Sequence, residues 1–180
     1  MSFPVTLSLR RLPDGLRLIR EPIGGIEDLR DGKQIWSSFT MNSLGNQVTP
    51  TLRGELFDLR MVMRPKNARE FGLKVHGEEI YYSTMDAILH VGSVSAPLPL
   101  ENRDLQLRVL VDRASVEVFA DFGEISISVV TLTLSDAPIT LFSRGGETTV
   151  VSLEADTLES IWGDKVPAAM ELPAAGGSIP

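Results

Sequence analysis

Residues 105–130, LQLRVLVDRASVEVFADFGEISISVV, constrain the fold more than any other stretch. Apolar side chains recur at Leu107, Val109 and Val111, at Val116, Val118 and Ala120, and at Ile125, Ile127 and Val129. This period of two, kept through two turns, is the signature of consecutive antiparallel strands with one apolar face. A hairpin looped at Arg113 and Ala114 pairs Val111 with Val116, Val109 with Val118, and Leu107 with Ala120. A second loop at Phe122 and Gly123 pairs Ala120 with Ile125, Val118 with Ile127, and Val116 with Val129. Slipping by one residue would turn every apolar side chain to water, so the register is strongly specified. The opposite face carries Arg108, Asp112, Ser115, Glu117, Ser126 and Ser128, and is expected to be wet or to meet a partner.

The rest of the chain repeats this pattern more loosely. Residues 1–12 read as a strand, Pro13-Asp14-Gly15 as a turn, and Leu16 to Arg20 as the returning strand. A short helical turn is expected at residues 26–30, ended by Asp31-Gly32. Strands are expected over residues 33–41, 51–64, 71–76, 80–83 and 85–92, with loops at 42–50, 65–70 and 94–102. Beyond the meander, residues 139–143 and 148–154 flank a tight turn at Arg144-Gly145-Gly146-Glu147, and residues 158–162 close the domain. Short strands, frequent turns and almost no helix define an all-β protein, a β-sandwich by pattern alone. One domain over residues 1–165 and a mobile Ala/Gly/Pro-rich tail over 166–180 are expected.

Composition narrows the partners. A formal net charge of -7 argues against nucleic acid and anionic membrane, both of which need basic surfaces. With no cysteine in the chain, disulfides, thiolate chemistry and thiolate-ligated zinc are excluded. His76 and His90 are too isolated to make a metal site, and no cofactor is expected. The chain carries neither a signal-peptide pattern nor a stretch long enough to span a membrane, so its compartment stays open.

The run Leu107-Arg108-Val109-Leu110-Val111-Asp112-Arg113-Ala114-Ser115-Val116-Glu117-Val118-Phe119, followed by Gly123, resembles the signature of the C-terminal β-sandwich module of family 32 glycoside hydrolases. These are the β-fructofuranosidases: invertases, inulinases and levanases. Asp14-Gly15-Leu16-Arg17-Leu18, Glu21-Pro22-Ile23 and Glu27-Asp28-Leu29-Arg30 are similar to the opening of that module, and Ala96-Pro97-Leu98 to its approach to the signature. The resemblance implies two packed antiparallel sheets of the lectin-like, jelly-roll kind. It also implies a separate N-terminal five-bladed propeller as partner, with a fructan or sucrose as ligand.

Glycoside hydrolysis needs two carboxylates placed across the bond. In the resembled enzymes these lie in the propeller, in a Trp-x-Asn-Asp-Pro-Asn setting, an Arg-Asp-Pro and a Glu-Cys. None of the three occurs in this sequence, and Met41-Asn42-Ser43 and Arg103-Asp104-Leu105 are only superficial echoes. No catalytic residue is therefore assigned, and the chain alone is expected to be inactive. Asp112, Arg113, Ser115, Glu117 and Phe119 are read as a structural or interface motif rather than an acid pair, since paired charges are common on sheet faces and catalytic pairs need a cleft. Trp36, Tyr81, Tyr82 and Trp162 are the aromatics that would serve a sugar platform, with core packing the favoured reading. Three roles stay open: accessory module of a fructan- or sucrose-cleaving enzyme, stand-alone carbohydrate-binding protein, and dimerisation module.

Overall fold

A computed structural model describes residues 3–12, 15–43, 51–131 and 138–161. The N-terminal strands β1 (Val5–Leu12) and β2 (Gly15–Pro22) form a two-stranded hairpin, followed by a 3-10 turn, Gly24–Leu29. Then come β3 (Arg30–Met41), β4 (Phe57–Pro65), β5 (Glu70–Val75), β6 (Glu78–Ser83), β7 (Ile88–Val91) and β8 (Val94–Pro97). The second half supplies β9 (Leu105–Asp112), β10 (Ser115–Ala120), β11 (Ile125–Val130), β12 (Thr140–Arg144) and β13 (Thr148–Leu158). One antiparallel sheet runs β11-β10-β9-β4-β13-β3 and the other β12-β5-β6-β7-β8. Their inner faces pack into one hydrophobic core, so the molecule is the lectin-like β-sandwich expected from the sequence.

The meander has the register its pattern dictates. Val111 pairs with Val116, Val109 with Val118, and Leu107 with Ala120 across the first hairpin. Ala120 pairs with Ile125, Val118 with Ile127, and Val116 with Val129 across the second. Val109, Val111, Val116 and Val118 are completely buried, where they meet Phe71, Leu73 and Ile80 of the opposite sheet's strands in a common core. Truncating Val118 to Ala should cost about 1–3 kcal/mol through lost burial and a residual cavity. An unchanged chemical-denaturation midpoint for that variant would refute the placement.

Several expectations are corrected. The strand expected from residue 51 starts only at Phe57, because Gly54 adopts φ 150, and Leu52 instead bridges Ile139. The helical turn ends at Leu29, and Asp31-Gly32 belong to β3, drawn into the sheet where Gly32 pairs with Thr157. Residues 94–97, expected within a loop, form the edge strand β8, whose position at the sheet margin tolerates Pro97. β13 continues past Glu154 to Leu158 because both of its neighbours, β3 and β4, extend that far. Residues 13–14, 44–50, 132–137 and 162–180 lie outside the described residues, and with them part of the first turn, most of the 42–50 loop, Trp162 and the tail.

The second meander turn departs most. Left-handed backbone angles are unfavourable for Phe122, so the loop is expected either as a type II turn with only Gly123 at positive φ or with a bulge. Instead Asp121, Phe122 and Gly123 have φ of 50, 58 and 81. Tertiary bonds overrule the local preference. Asp121 is buried against Arg103, and its amide donates to Gln106 O at 3.0 Å. On the other side of the turn, Arg20 N–H donates to Gly123 O at 3.0 Å, and a Cβ on Gly123 would come 2.1 Å from Arg20 O. Holding a non-glycine residue left-handed costs roughly 1–2 kcal/mol.

Candidate functional site: the covered sheet face and the bare hairpin

The outer face of the six-stranded sheet carries a charge network whose centre is buried, while Ser128 at its margin stays exposed. Period-two alternation brings Asp58 and Arg60 of β4, Arg108 of β9, and Glu154 and Asp156 of β13 to that face, with Asp58 directly opposite Asp156. Two like charges side by side on a sheet repel, and three guanidinium groups answer them. Arg108 clamps Asp58 through both Nε and Nη2 at 2.9 Å, and Arg30 Nη2 adds a third bond at 2.7 Å. Arg30 Nε also lies 3.1 Å from Asp156, which Arg60 holds from the other side. Burial alone would push the Asp58 carboxyl up, but the bonds from Arg108 and Arg30 reverse this and hold it below the usual aspartate range. At the solvent edge, Glu154 reaches Lys33 at 2.9 Å and Arg60 at 3.4 Å.

Beside this network part of the sequence motif, on the same outer face, is covered by the N-terminal segment. Glu117 is buried, and its Oε1 accepts the Phe3 N–H at 2.6 Å. Burial pushes its carboxyl above the usual range, against the opposing bonds from Phe3 and Ser128. Phe119 is buried with Leu110 and Ile26, and Phe3, Val5 and Leu158 pack against them. Asp112 accepts the Arg113 N–H at 2.8 Å across the hairpin tip, and Arg113 Nε reaches Glu55 at 2.7 Å. Ser115 pairs with Asp112. Glu117 thus lies beneath the chain's own N-terminal segment and is only 2% exposed. Alternation alone placed Glu117 on a face expected to be wet or to meet a partner. The signal for burial was the run of three apolar residues at Val109-Leu110-Val111 and again at Val118-Phe119-Ala120, which marks strands covered on both faces.

Of the four aromatic candidates, Trp162 lies outside the described residues, and the other three are not brought together. Trp36 is half-buried against the core from the edge strand β3. Tyr82 faces inward beside Phe71, with ring centroids 5.7 Å apart. Tyr81 points to the outer face of the other sheet, stacked on His90 at 4.6 Å. His76 is buried at the β5–β6 turn, and no cluster of three or more metal-ligating side chains occurs among the described residues. No helix among them is long and apolar enough to cross a membrane.

The hairpin β1–β2 was legible in the sequence, but its exposed leucine face was not. Leu9 pairs with Leu18, and Leu7 and Leu16 share their side of the ribbon. These four leucines are 71%, 46%, 58% and 62% exposed, in that order of naming, whereas Ile19 on the opposite side is completely buried. The ribbon is fastened to the sandwich by the Arg20–Gly123 bond, so it presents a leucine face on a fixed support.

Two packed antiparallel sheets around one core define a lectin-like β-sandwich module. The description "Glycosyl hydrolases family 32 C terminal" matches residues 25–157, and the chain belongs to that family. The levanase of Bacillus subtilis (strain 168) is 26% identical over 186 residues, covering 90% of this chain and 28% of that protein. The levanase of Bacillus sp. (strain L7) is 25% identical over 190 residues, covering 90% of this chain and 20% of that protein. The chain thus spans about a quarter of the length of these curated relatives. Among solved structures, the exo-inulinase from Aspergillus awamori superposes with a TM-score of 0.73 at 20% identity, over 89% of this chain and 36% of that one. Fructan 1-exohydrolase IIa from Cichorium intybus gives 0.70 at 14% identity, over 88% and 41%. These two show a shared fold.

Proposed function

We propose that the chain is the non-catalytic accessory domain of a family 32 glycoside hydrolase and acts by docking against an N-terminal catalytic propeller. The observation that carries this reading is the leucine face of the β1–β2 hairpin. Four leucines on one side of a two-stranded ribbon form a contiguous apolar patch of the kind that marks a protein interface. Covering each would yield roughly 1–2 kcal/mol before the costs of association. The curated relatives are much longer chains, which supplies a candidate for what covers it. The motif Asp112, Arg113, Ser115, Glu117 and Phe119 then serves the domain from within, by locking the N-terminal segment onto the meander and so fixing the hairpin's direction.

In the 180-residue chain by itself, the patch is expected to drive self-association. Sedimentation velocity across a concentration series should show reversible oligomers, weakened about tenfold or more in a Leu9→Asp/Leu18→Asp double variant. Adding a family 32 catalytic domain expressed without its own sandwich should compete with that association. A wild-type chain that stays monomeric at the highest attainable concentration and ignores the catalytic domain would overturn the docking role.

A further inference from the structure

Between the hairpin and the outer face of the six-stranded sheet lies a cavity of about 270 Å³. Val62 and the buried Phe119 give it apolar walls, Arg60, Gln106 and Arg108 rise from the sheet beside them, and Phe122 stands at its margin, 56% exposed. The volume falls just under the roughly 300 Å³ at which ordinary small-molecule sites begin, which suits one small ring and not an extended chain.

Charge decides the ligand's class. Arg60 is held by Asp156 and Glu154, and Arg108 by Asp58, so the polar wall is electrically balanced and offers no net attraction to an anion. It does offer direction. A guanidinium carries five N–H groups in a rigid plane, and an amide both donates and accepts, so these side chains can read a pattern of neutral hydroxyls. The Arg108 and Arg60 planes are locked by their ion pairs, which fixes that pattern before any ligand arrives. A ring with one hydroxyl-bearing edge and one C–H face matches such a wall, with an aromatic side chain covering the C–H face.

Phe122 supplies the second, independent observation. It is a bulky residue held at φ 58 by bonds that fall on its neighbours, Asp121 and Gly123, while its own ring stays largely in solvent. Folding gains little from that ring, yet the turn accepts the strain of displaying it at the mouth of this cavity. Strain sustained by surrounding structure is characteristic of ligand-contacting positions. We propose that the cavity is a subsite for a single neutral sugar ring, with Phe122 as the stacking platform and Gln106, Arg60 and Arg108 as the hydroxyl-reading groups.

The test is a titration of the isotopically labelled chain with fructose, glucose and sucrose, followed by amide NMR. At least one sugar should shift Gln106, Phe122 and Gly123 saturably, with a dissociation constant on the order of 1 mM. Phe122→Asn removes the ring but suits left-handed angles, so it should weaken binding about tenfold or more while melting at or above the wild-type temperature. Phe122→Trp should retain binding. Absence of shifts with all three sugars, shifts confined to the Tyr81–His90 face, or unweakened binding by Phe122→Asn would each overturn the subsite. Phe122→Asn that alters self-association while sugar binding persists would likewise make Phe122 a docking contact instead. Leu9 and Leu18 do not line the cavity, so the docking role and the sugar subsite can fail separately.

Discussion

Asp58→Asn is expected to cost about 3–5 kcal/mol of folding stability, a large share of the roughly 5–15 kcal/mol available to a domain. The substitution keeps the shape and removes the charge. Arg108 would then keep at most one bond of its clamp, to the remaining amide oxygen, and Arg30 would lose one of its three carboxylate partners, at a site with no exposure at Asp58 itself. Uncompensated charge in such a place is far more expensive than the net worth of the intact pair. Glu154→Gln provides the contrast. Its partners Lys33 and Arg60 are partly exposed, so the loss should stay within about 1 kcal/mol. Urea denaturation of both variants distinguishes the two cases, and a loss below about 1 kcal/mol for Asp58→Asn would remove the network from its central role.

The same network sets the acid response. Asp58 has a folded-state pKa below its unfolded value of about 3.9. Its contribution is therefore complete above that value and is lost as pH falls through the folded pKa. Glu117 acts with the opposite sign. Its folded pKa is raised, so the buried carboxylate carries a penalty at neutral pH, relieved as pH falls through the raised value. As the pH is lowered from neutrality, stability should first gain from Glu117 and only then decline as Asp58 protonates. Glu117→Gln should abolish the gain and leave the decline, a difference readable from melting temperatures at successive pH values.

What could be read from the sequence followed from period. The meander's register was fully specified because nine apolar residues at alternate positions admit one pairing across two short turns. Long-range partners were not legible. Asp58 and Asp156 are 98 positions apart in the chain, and nothing local says that β4 and β13 are neighbours or that Arg30 will reach across both. The left-handed Phe122 was illegible for the same reason, since Arg103 and Arg20 hold its turn from other segments. The hairpin leucines present a different limit. Alternation identifies two faces of a ribbon, but which face looks outward depends on what stands on either side.

The chain by itself is expected to release no fructose from sucrose, inulin or levan above a buffer blank. Enzymatic glycoside cleavage is typically at least about a million-fold faster than the uncatalysed reaction, which requires a nucleophile or base, an acid with a raised pKa and transition-state contacts acting on one bond. Glu117 has the raised pKa but not the access, because Phe3 and the Ile26–Leu110–Phe119 cluster cover it. Asp112 is nearer to solvent but is occupied with the Arg113 amide at the hairpin tip. Asp58 and Asp156 are opposed across two strands, yet both are buried and bound to arginines, and those bonds hold the Asp58 carboxyl below the usual range, which does not suit a proton donor. The proposed sugar subsite alters none of this: Glu21 and Glu154 line the cavity, and Glu154 is held below the usual range by its bond from Lys33, as a proton donor is not. Purified chain incubated with each sugar, with fructose measured over days, tests the expectation. Turnover that survives rigorous purification and disappears in Glu117→Gln or Asp112→Asn would make the meander an active site and end the accessory-domain reading.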